Sequence, residues 1–200
     1  MVNLASPKTF EIIEYILENA QFTQYRASKD LKNISFGLIN RVSNWLLGRR
    51  LIARRESKYL LSDPAGIISA ISIYRDMKQL KIFEADTSLT KGQLMRLIPK
   101  SAVFCLDSAL SLWSSYYKSG RVCAYLGQKE ADAIKKKLLF RPGNRSTLCI
   151  YREEPQVKQK KQAEGRFYTG RVRTVVDMFC DDRAFAAEML YKELWGERLG

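Results

Sequence analysis

The chain has 200 residues, 34 Lys and Arg against 21 Asp and Glu, no histidine and four cysteines, for a net charge of +13. Apolar residues at 46% and charged residues at 28% are ordinary globular usage, so wholesale disorder is excluded and the length allows one large domain or two small ones. Without histidine there is no Ser-His-Asp or Cys-His nucleophile activation, no imidazole base and no His-ligated zinc.

Cys105, Cys123, Cys149 and Cys180 contain no CxxC pair, which argues against a zinc ribbon or redox dithiol. They read as small buried residues in a reducing cytoplasm. No run approaches the roughly 18 apolar residues of a membrane span. The start, MVNLASPKTFEIIEYI, has acids within its apolar run, unlike a secretory signal. A cytoplasmic protein without membrane attachment is expected.

The charge is concentrated. Residues 26–58 carry nine bases against two acids, and residues 118–175 carry fifteen against five. Such blocks neutralise phosphates and release counterions from polyanions, although a solvated surface has the same composition.

In chain order, Ser6-Pro7 caps and opens a first helix. Phe10, Ile13, Ile16 and Leu17 form its apolar stripe, and Glu11, Glu14 and Glu18 fill its polar side. A second helix fits Thr23 to Leu31, with Tyr25, Ala27 and Leu31 inward. Ser35 caps a third, running to about Leu47. Its stripe is Leu38, Ile39, Val42, Trp45 and Leu46, and its other side is Ser35, Gly37, Asn40, Arg41, Ser43 and Asn44. Two short apolar runs then flank Glu56-Ser57, which predicts a β-hairpin.

Three helices followed by a basic hairpin is the order of a winged helix-turn-helix. The run SFGLINRVSNWLLGRRLIARRESKYLLS resembles that family, although its usual glycine just before Leu-Ile is displaced to Gly48. The resemblance implies a recognition helix in the major groove and a basic wing on the DNA backbone. Asn40, Arg41 and Asn44 are the candidates for base edges. Ser35, with the amides at the start of the third helix, is the candidate for a phosphate. Arg49, Arg50, Arg54, Arg55 and Lys58 are the candidates for backbone or minor-groove contacts. Tyr59 is expected in the core of the wing.

Asp63-Pro64 opens another helix, and Ile67, Ile68, Ile71, Tyr74, Met77 and Leu80 predict that it is long and amphipathic. Over 64–86 it would connect two domains, build a homodimer seam or pack within its own chain. A mixed α/β domain of regulatory or partner-binding role is expected over 87–200. Thr90 and Gln93 form a capping box. Ala102 to Trp113 reads as a buried helix, with Asp107 as a structural hydrogen-bonding group or on its exposed side. Arg121–Leu126, a helix over Lys129–Phe140 and Thr147–Tyr151 form a strand-helix-strand unit. Lys135, Lys136 and Lys137 lie across that helix's outer side. Residues 153–165 read as a loop. Phe167 and Tyr168 are more readily core aromatics than stacking platforms. A last helix, Arg183 to Leu194, turns Phe185, Ala186, Met189, Leu190 and Leu194 to one side. The expected fold class is α+β, a winged helix-turn-helix followed by this α/β domain.

SAVFCLDSALSLWSSYY and the terminal RTVVDMFCDDRAFAAEMLYKEL resemble the AbiEi-like antitoxin regulators. That family carries a short Arg-Thr/Ser-(apolar)-(apolar)-Asp run, here Arg173-Thr174-Val175-Val176-Asp177. The resemblance implies a non-catalytic repressor of its own operon, paired with a nucleotidyltransferase toxin. Arg173 and Asp177 are equally a plain i,i+4 pair. Lys135, Lys136, Lys137, Arg171 and Arg173 are candidates for a second basic surface that meets RNA or an acidic protein such as a toxin.

The competing expectation is a nucleic-acid-processing enzyme, a nuclease or nucleotidyltransferase targeted by the winged helix. It would need carboxylates converging on magnesium. The available acids are Asp107, Asp132, Glu153, Glu154 and Asp177. None has a recognised paired spacing, and no GxxxxGK[ST] phosphate loop is present. No cofactor and no metal site is expected.

Overall fold

In a computed structural model, which describes residues 2–154, 160–163 and 165–196, helix α1 (Pro7–Glu18) starts at its proline, where the missing N–H costs nothing. The fold is mixed α+β. The described chain divides into two units, one reaching Arg75 and the other spanning Asp76–Gly196. No helix among the described residues is long and apolar enough to cross a membrane.

In the first unit α1 is followed by β1 (Gln21–Phe22), α2 (Gln24–Asp30), α3 (Phe36–Gly48), β2 (Ile52–Arg55), β3 (Lys58–Leu61) and α4 (Pro64–Ser72). The hairpin β2-β3 forms at Glu56-Ser57, with Arg55 opposite Lys58, and β1 adds to β3 to give the order β1-β3-β2. Sequence reasoning missed β1, because two residues carry no alternation to detect. Ile12, Ile16, Ile39, Val42, Leu46 and Ile67 are fully buried. Removing any one of these side chains should cost about 2–5 kcal/mol.

Three side chains expected on particular faces lie elsewhere. Tyr25 is 69% exposed, because it stands two residues before Ala27 and therefore on the opposite side of α2. Glu14 is buried, since α1 packs against both α3 and α4 and covers more than one stripe. Ser43 is buried too, one turn on from Ile39 in the same row.

The single helix expected over 64–86 is absent. Asp63 caps α4 through Gly66 N (2.7 Å), but the helix stops at Ser72. Asp76 caps a separate turn, α5 (Met77–Leu80), through Lys78 N (2.8 Å). Lys81–Thr87 is then a strand, β4. Asp76 offers the backbone a new helix start, which competes with continuation of the old helix.

The second unit continues with α6 (Lys91–Leu97), β5 (Val103–Phe104), α7 (Leu106–Trp113), β6 (Arg121–Leu126), α8 (Gln128–Leu138), β7 (Ser146–Arg152), β8 (Lys160–Ala163), β9 (Arg166–Thr169), α9 (Arg171–Cys180), a 3-10 turn (Ala184–Ala187) and α10 (Glu188–Trp195). Its sheet has the order β4-β7-β6-β5-β9-β8. The β6-α8-β7 crossover makes β6 and β7 parallel, with Cys123 opposite Cys149. Val122, Ala124, Leu148 and Ile150 face α8's Ala131, Ile134 and Leu138 in one core. The alternate positions Cys123, Tyr125, Cys149 and Tyr151 are also buried, as expected of strands covered on both faces. All four cysteines are free and buried.

Several expected elements differ here. The capping box Thr90-Gln93 is present. Ala102–Trp113 is not one helix: β5 precedes α7, and Leu106 takes φ 45° at the junction. A fully buried strand and a buried helix look alike in apolar content. The loop expected over 153–165 contains β8 at 160–163, while 155–159 and 164 fall outside the described residues. Tyr168 is buried and stacks on Phe104 (5.3 Å). Phe185 (76%) and Met189 are exposed, not inward. The segment opens with a 3-10 turn, whose three-residue period turns those positions off the α-helical stripe.

Candidate nucleic-acid interface

Helix α3 has one buried side and one polar side. Ser35 accepts from Leu38 N (3.3 Å) and starts it; Ile39, Val42, Ser43 and Leu46 bury one row. Arg41 and Asn44 are exposed on the other, with Asn40 half-buried beside them. Gln24 Nε2 donates both to Asn40 Oδ1 (3.1 Å) and to the Tyr59 hydroxyl (3.0 Å). Asn44 Nδ2 donates to the same Asn40 oxygen (3.2 Å). These bonds tie α2, α3 and β3 together through one amide. The Asn44 oxygen has no partner among the described residues, so Asn44 keeps an acceptor beside its second N–H. That is the pair of groups that reads adenine in a major groove.

The end of α3 sets the next cations. Arg50 N donates to Leu47 O (3.0 Å) and Leu51 N to Leu46 O (3.1 Å), the crossed pair of bonds that closes a helix into a left-handed residue. That residue is Arg50, at φ 61°. Glycine normally fills this position; here the nearest glycine, Gly48, is still inside the helix. Arg49 lies over the Trp45 ring at 4.0 Å.

Beyond this turn the hairpin runs out from the core. Ile52 and Tyr59 are buried, and Tyr59 stacks on Phe22 (5.3 Å, 19° between rings). Arg54, Arg55 and Lys58 are exposed near the tip. Arg54 Nε donates to Glu56 O (3.0 Å), which orients its guanidinium along the ribbon. Arg41, Arg49, Arg50, Arg54, Arg55 and Lys58 have no acidic partner among the described residues.

The arrangement can present a row of cations and two amide side chains to a polyanion. Ser35 is exposed, but its hydroxyl oxygen is already used in capping. A phosphate at this end would meet the free amides of the first turn. Sequence reasoning missed Gln24 and the exposure of Tyr25 and Phe36. Nothing local marks Gln24, whose role comes from a contact sixteen residues away.

The second set of candidates divides. Lys135, Lys136 and Lys137 are exposed on α8. Arg171 is ion-paired with Glu193. Arg173 is not a surface residue: it is 1% exposed, paired with Asp177 (2.9 Å) and Glu154, and within 3.4 Å of the Tyr125 hydroxyl. Helix α9 is buried nearly all round, so its i,i+4 pair lies inside.

Of the acids expected for an enzyme, Asp107, Glu154 and Asp177 are committed to arginines. Asp107 is fully buried, ion-paired with Arg183, and accepts from the Tyr117 hydroxyl (2.7 Å) and the Cys123 thiol (3.4 Å). Burial alone would raise its pKa, but the bonds from Arg183 and Tyr117 outweigh burial and hold the carboxyl below its ordinary value. Burial also raises the Cys105 and Cys123 thiols well above the usual range. Asp132 and Glu153 are exposed. Among the described residues no cluster of three His, Cys, Asp or Glu side chains could hold a metal ion.

No family model, no curated protein and no solved structure matches the chain.

Proposed function

We propose that residues 2–63 are a winged helix-turn-helix and that the protein is a cytoplasmic, non-catalytic, sequence-specific DNA-binding regulator. Helix α3 enters the major groove, with Asn40, Arg41 and Asn44 at base edges. The β2-β3 ribbon, with Arg54, Arg55 and Lys58, lies on the backbone, and Arg49 and Arg50 hold the phosphates between them. One observation carries this reading: six cations on one helix, the turn after it and the adjoining ribbon are exposed and, among the described residues, without acidic partners. Folded proteins tend to pair or disperse such charges, whereas a phosphate backbone neutralises them and releases its counterions.

The likeness of SAVFCLDSALSLWSSYY and RTVVD to AbiEi-like antitoxins supports an autoregulating repressor with a toxin partner. On this reading the second unit has a regulatory or partner-binding role. The test is a footprint on the DNA upstream of the protein's own gene, with affinity measured across salt concentrations. A discrete protected site, and affinity that falls steeply with salt, is expected. Equal affinity for that site and for a scrambled duplex would refute sequence-specific recognition.

A further inference from the structure

Within the first unit, three side-chain amides and one phenol form a chain of hydrogen bonds whose directions are set from its buried end. Tyr59 is buried and its ring is held in a stack on Phe22. Gln24 Nε2 carries two N–H groups; one donates to the Tyr59 hydroxyl (3.0 Å) and the other to Asn40 Oδ1 (3.1 Å). Gln24 therefore turns its nitrogen, and not its oxygen, to Asn40.

Asn40 Oδ1 also accepts from Asn44 Nδ2 (3.2 Å). An amide oxygen has two lone pairs, so the acceptor of Asn40 is saturated. Its Nδ2 has no partner among the described residues and keeps both N–H groups. Asn44 has used one N–H and keeps the other together with its oxygen. Two asparagines one turn apart on the polar side of α3 thus differ in what they have left: Asn40 can only donate, whereas Asn44 can donate and accept.

In a major groove this difference selects bases. Adenine and cytosine present an amino group, which donates, while guanine and thymine present a keto oxygen, which accepts. A free asparagine pairs with adenine through its oxygen and nitrogen together. Asn40 cannot, because its oxygen is occupied and its N–H groups would face the amino hydrogens. Desolvated donors left facing each other carry the cost of an unmade hydrogen bond.

We propose that Asn40 reads a keto base, guanine or thymine, and that Gln24 is the positioning residue that sets this choice by occupying the Asn40 oxygen. Asn44 reads adenine about 6 Å along the helix, within two base-pair steps of roughly 3.4 Å each. The proposal rests on the DNA-binding reading of the first unit. It adds the class of base read by α3 and a determinant on α2 that needs no contact with DNA.

The test uses the full chain and a pool of duplexes with a randomised centre spanning two helical turns, from which bound sequences are selected and read. Asn40→Ala identifies the position read by Asn40 as the one whose preference it relaxes. There the parent should take guanine or thymine over adenine or cytosine by roughly tenfold, measured on four duplexes that differ at that base pair alone. Gln24→Ala frees the Asn40 amide to turn over and should bring adenine level with guanine. Gln24→Glu replaces the donor by an acceptor, which draws in the Asn40 nitrogen and turns its oxygen outward. The preference should then invert toward adenine or cytosine, even as the added negative charge weakens all four duplexes. A residue that only supports the fold would weaken the four alike and leave their ratios unchanged, and that result overturns the proposal. So does a parent preference for adenine or cytosine at the Asn40 position, a measurement that needs no Gln24 variant, or a consensus that Asn40→Ala leaves intact at every position. In each of these cases the DNA reading survives. A parent that selects no consensus from the pool removes sequence-specific DNA recognition itself, and the proposal with it.

Discussion

The two units use arginine in opposite ways. In the first, Arg41, Arg49, Arg50, Arg54 and Arg55 stand in solvent without acidic partners among the described residues. In the second, Arg173 is buried against Asp177, and Arg183 is ion-paired with the buried Asp107. A solvated, unpaired guanidinium costs the fold little and is available to a phosphate. A buried one contributes only while its acid is present, and is unavailable to any ligand. The excess of bases over residues 118–175 therefore overstates the cationic surface of the second unit.

This contrast can be broken at either end. The largest effect should come from the buried pairs. Asp177→Ala leaves Arg173 short of a partner in the core and should cost about 3–5 kcal/mol, read from denaturant unfolding. Asp107→Ala should cost a similar amount and carry a pH signature. The folded-state pKa of Asp107 is depressed, so its contribution is present above about pH 4 and is lost as pH falls through the lower folded value. The variant's stability should fall less steeply with acid than that of the parent. A neutral outcome for both variants would mean that the second unit does not depend on its internal ion pairs.

On the first unit the expectation reverses, with large effects on DNA and small ones on folding. The double variant Arg54→Ala, Arg55→Ala should flatten the slope of log affinity against log salt by about two and weaken all duplexes alike. Its unfolding midpoint should stay within about 0.5 kcal/mol of the parent. Asn44→Ala should cost roughly 1–3 kcal/mol on the preferred site and relax the choice of base there. A uniform loss across sequences would move Asn44 from base recognition to the backbone.

The smallest effect separates the two roles within one residue. Arg50→Gly removes a side chain from a left-handed position and should stabilise the fold by about 1 kcal/mol while weakening DNA binding. A variant that is both more stable and equally tight on DNA would take Arg50 out of the interface.

Much of the first unit was legible in the sequence because its signals are local. Ser6 makes no side-chain cap bond, but Pro7, Ser35, Asp63-Pro64 and the polar pair Glu56-Ser57 each mark an element end by the hydrogen bond or dihedral they supply. The row Ile39, Val42, Leu46 follows from helical period alone, and so does the exposure of Arg41 and Asn44 opposite it. Less was legible where burial surrounds an element. In Ala102–Trp113 the apolar content hid a strand, and in α9 it hid the fact that Arg173 lies inside. Period-based reasoning has no contrast to work with when both sides of a segment are covered.

Composition and local pattern by themselves determined an α+β chain without histidine chemistry, with a basic helix-and-hairpin segment near its start. Only the tertiary structure decided which cations reach solvent, that Gln24 links Asn40 to Tyr59, and that Lys81–Thr87 ends as an outer strand. The physical reason is range. Caps, turns and periodicity act over three or four residues, whereas desolvation and ion pairing depend on neighbours brought from tens of residues away.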